Sequence, residues 1–222
     1  KGAVRPEGIP DQRVKKLGVL GAGMMGAGIA LGSVQAGIAV VLMDPDQEAA
    51  DKGKAYSEAY MDKGIARRKA TPEKKEALLS LITATPDLDA LKDCDLIIEA
   101  VFEDPAVKAE MTKKVEAVSP QACTDASNTS TLPITDLAKA SSRPDQFIGI
   151  HFFSPVGRMA LVEIIRGKET GDRAVAKALD YVRQIRKTPI VVNDERFFYA
   201  NRCIIPYGGE ATRMVTEGVA PV

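Results

Sequence analysis

The sequence has few of the residues that build metal centres, disulfide frameworks or nucleic-acid surfaces. Its 222 residues include only three cysteines, Cys94, Cys123 and Cys203, which are far apart and form no C-x-x-C pattern. We therefore predict no metal site and three buried, reduced thiols, as in a cytoplasmic protein. Thirty basic residues balance thirty acidic ones. Because a positive excess is missing, we expect no nucleic-acid partner.

We also expect neither a secretory leader nor a membrane span. The chain opens with KGAVRPEGIPDQR, which is polar, contains proline and does not begin with methionine. This opening predicts no leader and suggests a fragment or a processed chain. Residues 17–43 carry no charge and are numerous enough to cross a bilayer. However, seven glycines interrupt them and no basic cluster sets an orientation, so we expect no membrane span.

What the sequence does contain is a regular alternation of strand and helix patterns. The predicted strands are 15–21, 38–44, 94–101, 122–127, 147–153, 161–165 and 189–193, and the predicted helices are 24–36, 46–63, 105–118, 134–140 and 172–185. Several of these strands are continuously apolar, which is typical of strands covered on both faces. The pattern predicts an α/β fold with a doubly wound, mostly parallel sheet.

Three glycines at the first strand-to-helix turn, Gly21, Gly23 and Gly26, form the pattern G-x-G-x-x-G. The first allows the tight turn, the second lets the backbone approach a pyrophosphate, and the third lets the helix pack closely on the strand. Free N–H groups at the start of the helix favour negative charge. This context predicts a Rossmann-like dinucleotide-binding fold; the alternative is a glycine-rich turn that only packs.

Asp44 ends the second predicted strand, and its position indicates which dinucleotide binds. A carboxylate there accepts hydrogen bonds from a ribose 2′-hydroxyl and repels a 2′-phosphate. The residues that follow it, PDQEAAD, contain no arginine that would neutralise such a phosphate. The sequence therefore predicts NAD rather than NADP.

The only histidine, His151, lies near the end of an apolar strand, where α/β sheets bind ligands. Glu163 lies inside the next apolar strand, where a carboxylate is costly unless it has a partner. A histidine on a neighbouring strand is such a partner. The two residues together predict a general base whose tautomer is set by the carboxylate; a core histidine without catalytic function is the alternative.

Five motifs resemble, in the same order, those of the 3-hydroxyacyl-CoA dehydrogenases, and the similarity is greatest to the dehydrogenase region of bacterial multifunctional fatty acid oxidation enzymes. The motifs are GVLGAGMMGAGIA, EAVFED, SNTSTLPI, HFFSPVGRMALVEII and NRCIIPY. The resemblance implies oxidation of the 3-hydroxyl of (S)-3-hydroxyacyl-CoA to 3-oxoacyl-CoA in beta-oxidation, with hydride transfer to NAD. It also implies an acyl-CoA thioester substrate, a bacterial cytoplasmic parent protein, dimer formation and association with a thiolase subunit.

The resemblance further implies a role for each matching residue. His151 matches the catalytic base, Glu163 the carboxylate that orients it, Ser130 a serine near the substrate hydroxyl and the nicotinamide ribose, and Asn201 a substrate-binding asparagine. The residues implied on the cofactor side are Gly21, Gly23, Met24, Met25, Gly26, Asp44, Val101, Phe102, Glu103, Lys108, Ser130 and Ser154.

Several of these residues also have purely structural interpretations. Ser130 and Asn201 are suited to cap the helices that follow them. Glu103 and Lys108 are spaced as a solvated surface pair. A basic run within residues 63–69 either meets the phosphates of coenzyme A or ends a helix in solvent.

Two positions depart from the family pattern. Ser154 stands where the family usually has asparagine, so a hydroxyl replaces an amide on the nicotinamide side. Phe197 stands where the family usually has glycine. If that position needs a positive φ, phenylalanine is strained there.

The alternating pattern stops after Asp194, which suggests three parts in the chain. We predict a linker at 1–14, an NAD-binding Rossmann domain at 15–194 and, at 195–222, the start of a truncated all-helical substrate and dimerisation domain. Two other functions stay open at this point. One is an NAD-dependent oxidoreductase of a non-CoA 3-hydroxy acid, and the other is a non-catalytic dinucleotide-binding module.

Overall fold

The computed structural model describes residues 5–219, in which eight strands and seven α-helices follow one another. The strands are β1 (Lys16–Leu20), β2 (Ala39–Met43), β3 (Ile82–Thr85), β4 (Leu96–Glu99), β5 (Thr124–Ser127), β6 (Phe147–Phe152), β7 (Leu161–Arg166) and β8 (Thr188–Asn193). The helices are α1 (Met24–Gln35), α2 (Gln47–Ala66), α3 (Pro72–Ser80), α4 (Pro105–Glu116), α5 (Ile134–Leu137), α6 (Asp172–Gln184) and α7 (Ala200–Thr216).

All eight strands form one sheet in the order β3-β2-β1-β4-β5-β6-β7-β8. Neighbouring strands are parallel except β6 and β7, which pair antiparallel. The order reverses between β1 and β4, and the crevice at the carboxyl ends of such strands is where open α/β sheets bind ligands. The predicted doubly wound, mostly parallel sheet is confirmed.

Helices cover both faces of the sheet, which explains why several of its strands are continuously apolar. On one face α1 and α6 contribute to the largest buried cluster, where the hydroxyls of Ser33 and Tyr181 lie 2.8 Å apart and share a hydrogen bond. On the other face Val115 of α4 packs with Leu20 and Ile97. Burying one such aliphatic side chain contributes about 1.5–3 kcal/mol. The uncharged stretch 17–43 is therefore a buried β1-α1-β2 unit.

The structure corrects the sequence analysis at two elements and one cysteine. Helix α3 and strand β3 were absent from the predicted elements. Helix α3 begins with the Thr71 side chain capping the Lys74 N–H at 3.3 Å, but it buries no residue and so shows no hydrophobic periodicity. Cys94 and Cys123 are buried as predicted, whereas the prediction for Cys203 is wrong because it is exposed on α7.

Helix α7 extends away from the sheet after its first turn. Ala200 is the only buried residue of this helix, and its exposed large apolar side chains include Ile204, Ile205 and Tyr207. No helix within residues 5–219 is long and apolar enough to span a membrane. The predicted domain limits at 14 and 194 stay predictions, and residues 1–4 and 220–222 of the outer parts lie outside the described residues.

Candidate active site

The glycine-rich turn between β1 and α1 depends on two of its three glycines for its shape. Gly21 has φ +88°, and a Cβ on it would lie 2.7 Å from the Ala100 carbonyl oxygen. A Cβ on Gly26 would lie only 1.8 Å from the Gly21 carbonyl oxygen. Gly23, in contrast, would find no protein atom within 4 Å of an added Cβ. The turn is therefore closed by Gly21 and Gly26 and open to a ligand at Gly23.

The start of α1 fits the pyrophosphate of a dinucleotide. Gly23 is the N-cap of this helix, and no side chain caps it. The first N–H groups of a helix need an acceptor and attract anions. Open space beside Gly23 and an uncapped helix start are what a pyrophosphate requires.

Asp44 follows β2 and lies beside the glycine turn. Its Oδ2 accepts a hydrogen bond from the Ala22 N–H at 3.0 Å and its Oδ1 one from the Asp46 N–H at 3.2 Å. These bonds hold the carboxylate at the edge of the turn, and a carboxylate still has acceptor capacity for ribose hydroxyls.

At the carboxyl end of β4, a buried lysine joins two carboxylates. Lys108 Nζ lies 2.7 Å from Glu99 Oε1 and 3.0 Å from Glu103 Oε2, and its side chain is 3% exposed. Ser127 donates a hydrogen bond to the other Glu99 oxygen at 2.8 Å. This burial contradicts the interpretation of Glu103 and Lys108 as a solvated surface pair.

Glu103 in turn fixes the loop after β5. Its Oε1 accepts hydrogen bonds from the Thr129 hydroxyl at 2.5 Å and the Ser130 N–H at 2.9 Å. Burial tends to raise the pKa of Glu103, but these bonds and the Lys108 ammonium hold it below its ordinary value. On the other side of the loop, Asn201 Nδ2 donates to the Ser130 carbonyl oxygen at 2.8 Å. The loop is therefore held from the segment between β4 and α4 and from α7.

The antiparallel pairing of β6 and β7 places His151 directly opposite Glu163. His151 Nδ1 lies 2.8 Å from Glu163 Oε2, and the two side chains are 4% and 0% exposed. The Glu163 Oε1 accepts the N–H groups of Tyr199 and Ala200 at 3.0 and 2.7 Å. Phe153 flanks the imidazole, with ring centroids 4.4 Å apart.

These contacts determine where the neutral His151 carries its proton. Burial tends to raise the pKa of Glu163, but the hydrogen bonds from His151 and from the two N–H groups hold it below its ordinary value. An ionised carboxylate only accepts hydrogen bonds, so His151 Nδ1 is the donor. The lone pair of the neutral ring is then on Nε2, which is free to take a proton from a ligand.

The sequence model of the family described as 3-hydroxyacyl-CoA dehydrogenase, NAD binding domain, matches residues 16–195. The chain belongs to this family. A "Fatty acid oxidation complex subunit alpha" from Idiomarina loihiensis is 45% identical over 208 residues, which are 94% of this chain and 29% of that protein. The chain thus spans less than a third of the length of this curated relative.

Two solved structures of other proteins are also similar to this chain. The (S)-3-hydroxybutyryl-CoA dehydrogenase PaaH1 from Ralstonia eutropha has a TM-score of 0.86 and 38% identity, covering 94% of this chain and 74% of that one. The 3-hydroxybutyryl-CoA dehydrogenase from Escherichia coli has a TM-score of 0.89 and 33% identity, covering 94% and 44%. The prediction of NAD as the cofactor is confirmed by the family.

In this member of the 3-hydroxyacyl-CoA dehydrogenase family, neither Ser130 nor Asn201 caps a helix. Helix α5 has Pro133 at its N-cap, and its first N–H groups are bound by the Asp194 carboxylate at 2.9 and 2.7 Å. The N-cap of α7 is Tyr199, and Asn201 lies inside the helix. The structural interpretation of these two residues is therefore wrong, while their catalytic and binding roles stay predictions.

The remaining cofactor-side residues surround the glycine turn. Met24 and Phe102 are 73% and 82% exposed, as expected of apolar groups that line an open groove. The Ser154 hydroxyl lies 3.9 Å from the Met24 sulfur. Met25 packs partly against the largest core cluster, and the Val101 N–H donates to Glu99 Oε1 at 2.8 Å. Their contacts with NAD stay predictions.

Glu99, Thr129 and Asp194 are polar partners of the site that the sequence analysis did not include. Glu99 ends an apolar strand in the same way as Asp44, and this similarity was the available signal. Thr129 contacts Glu103, and Asp194 contacts the start of α5; both contacts join distant parts of the chain, which no local pattern reveals. The expected strain at Phe197 is present, because its φ is 65°.

Proposed function

We propose that the protein carrying this chain is an NAD-dependent 3-hydroxyacyl-CoA dehydrogenase, which oxidises the 3-hydroxyl of (S)-3-hydroxyacyl-CoA to 3-oxoacyl-CoA. The observation that carries the proposal is the buried His151–Glu163 pair, 2.8 Å apart, at the same sheet edge as the glycine turn. A non-catalytic dinucleotide-binding module has no use for a base with a fixed tautomer.

Each residue of the candidate site has its own role in the proposed reaction. NAD, when bound at the glycine turn, supplies the hydride acceptor. His151 Nε2 takes the proton of the substrate 3-hydroxyl as the hydride leaves C3, and the imidazolium that results is stabilised by the Glu163 carboxylate. Ser130 lies on the loop after β5, which Glu103 and Asn201 hold in place, and it positions the 3-hydroxyl oxygen of the substrate.

The test is the rate of NADH oxidation by the complete gene product with acetoacetyl-CoA, compared with acetoacetate. We expect turnover of the thioester only. Turnover of acetoacetate alone would favour the oxidoreductase of a non-CoA 3-hydroxy acid, and no turnover of either would favour the binding module.

A substitution series tests the assigned base. His151→Gln should lower kcat by roughly 10² to 10⁴-fold while NADH affinity changes little. Glu163→Gln should also lower kcat, because an amide no longer fixes the tautomer. Glu169→Gln is the matched control, since Glu169 is exposed and should leave kcat unchanged. Normal turnover by His151→Gln would contradict the proposed mechanism.

We propose further that the protein carrying this chain acts in the cytoplasm, as a dimer that associates with a thiolase subunit. The support for the association is that the Idiomarina loihiensis relative is a "Fatty acid oxidation complex subunit alpha", that is, a subunit of a complex. Size-exclusion chromatography of the complete gene product with a thiolase from the same organism tests this. Elution of the two proteins at their separate masses would contradict the association.

A further inference from the structure

Two consecutive non-glycine residues, Phe197 and Phe198, have left-handed backbone conformations just before Tyr199, the N-cap of α7. Their φ angles are 65° and 56°, a region that bulky residues rarely adopt. Such conformations persist only where the surroundings enforce them, and they cluster at functional sites. The pair lies directly before the two residues whose N–H groups bind Glu163.

Contacts on both sides hold this turn in place. The Phe198 ring is 2% exposed and belongs to the buried cluster around α5 and β6, 6.0 Å from the His151 ring. The Phe198 N–H donates to the Glu195 carbonyl oxygen at 2.8 Å. The Arg196 guanidinium lies 5.4 Å from the centre of the Phe197 ring. The left-handed turn is therefore enforced by packing.

The turn directs two successive N–H groups at a single oxygen atom. Glu163 Oε1 receives the N–H groups of Tyr199 and Ala200 at 3.0 and 2.7 Å. Successive backbone N–H groups of this kind form a concave anion-binding site. Since the Glu163 side chain is 0% exposed, these two groups replace the water that a carboxylate normally needs.

We propose that Phe197 and Phe198 are positioning residues whose left-handed backbone forms an anion cradle for Glu163, and that this cradle keeps His151 protonated on Nδ1. With Oε1 held by the cradle, Oε2 is left to accept the His151 N–H. The inference rests on the proposed function, because it concerns the tautomer of the proposed base. It implies that the segment after β8 determines the tautomer of His151 on β6.

Substitutions at Phe197 separate its backbone conformation from its ring. Phe197→Gly and Phe197→Asn lose the ring but tolerate a positive φ, whereas Phe197→Val is β-branched and disfavours it strongly. We expect the glycine and asparagine variants to keep the Nδ1–H tautomer, and the valine variant to show a mixture of both tautomers. In the complete gene product, kcat of the valine variant should fall at least about tenfold, since a wrong tautomer of a base costs up to about 10⁴-fold.

The tautomer is read by long-range proton–nitrogen NMR of the imidazole. His151 is the only histidine among the 222 residues, so its ring signals are unambiguous in this chain. The matched control is Arg186→Val, because Arg186 also has a left-handed φ of 60° but lies beyond the end of α6. It should strain the backbone without changing the tautomer.

Three outcomes decide the proposal. A folded Phe197→Val protein with an unchanged tautomer and kcat would overturn it. If the valine variant does not fold, the glycine and asparagine variants decide: the Nδ1–H tautomer in both supports the proposal, and its loss in both would overturn it. The Nδ1–H tautomer in both the glycine and the asparagine variant, together with a mixture of tautomers in a folded valine variant, supports the proposal. Because the tautomer is measured without substrate, a protein with no dehydrogenase activity would refute the proposed function and still test the cradle.

Discussion

Replacing Gly23 by alanine should weaken NADH binding without weakening the fold. A Cβ at Gly23 meets no protein atom within 4 Å, and the backbone there, with φ −67° and ψ −170°, suits any residue. Alanine at an N-cap is less favourable than glycine by less than about 1 kcal/mol. Loss of glycine freedom in the unfolded chain returns about 0.4–1 kcal/mol. The free energy of unfolding should therefore change by no more than about 0.5 kcal/mol.

We expect the methyl group of Gly23→Ala to occupy the space of the bound pyrophosphate. Forcing one or two additional carbon atoms into a close contact costs about 1–3 kcal/mol, which is roughly a five- to 150-fold rise in the Kd for NADH. Calorimetric titration measures the Kd, and urea denaturation measures the free energy of unfolding.

Two other glycines provide the comparison. Gly26→Ala should destabilise the fold severely, because its Cβ would overlap the Gly21 carbonyl oxygen. Gly32→Ala, within α1 and with no protein atom within 4 Å of the added Cβ, should leave the Kd unchanged and stabilise the helix by up to about 1 kcal/mol. Unchanged NADH affinity in Gly23→Ala would show that the pyrophosphate does not lie against this turn.

Two further predictions concern charges. NADH should bind at least about tenfold more tightly than NADPH, a difference of ~1.4 kcal/mol. In calorimetry, Asp44→Ala should reduce this affinity ratio, whereas the control Asp46→Ala, which removes only the cap of α2, should not. An unchanged ratio in Asp44→Ala would show that Asp44 does not bind the ribose. Burial raises the pKa of Asp125 from 3.8 to about 6 despite the attraction of Arg143, and its Oδ1 has no hydrogen-bond partner. The stability of the wild type relative to Asp125→Asn should therefore fall by about 2 kcal/mol as pH rises from about 4 to 7, and a difference between the two urea denaturation curves that does not vary with pH would contradict this.

Much of the sheet was predictable because β1, β2 and β4 are apolar apart from Lys16 at the start of β1 and Glu99 at the end of β4. Strands β1, β2 and β4 appear in the sequence as short runs of branched residues, each followed by a turn. The edge strand β3, ITAT, alternates apolar and polar residues, but it is only four residues long and only Ile82 is buried, so the pattern is too short to stand out in the sequence. Helix α3 was missed for a related reason, since all its faces are at least partly solvated, although Thr71 and Pro72 are the usual start of a helix.

The candidate site was predictable where one strand carries one polar residue among apolar neighbours. His151 and Glu163 fit that description, and the cost of an unpaired buried carboxylate was sufficient to pair them. The contacts of Glu163 with the N–H groups of Tyr199 and Ala200 were not predictable, because they join β7 to a turn 36 residues later whose conformation violates the preference of phenylalanine. The positive φ angles of Phe197 and Phe198 are enforced by packing with distant parts of the chain, so neither the local sequence pattern nor the backbone preference of phenylalanine predicts them.

The order of the strands places Asp44, proposed to select the dinucleotide, far from His151, the proposed base. Asp44 follows β2, the glycine turn follows β1, and His151 is the last but one residue of β6, so four gaps between strands, of about 4.8 Å each, lie between Asp44 and His151. A molecule that reaches both ends must lie extended across the edge, with its pyrophosphate near α1 and its reactive ring toward β5 and β6. Because four gaps between strands separate these residues and they share no partner, changes at Asp44 should act on which dinucleotide binds, and changes at His151 on whether the bound one reacts.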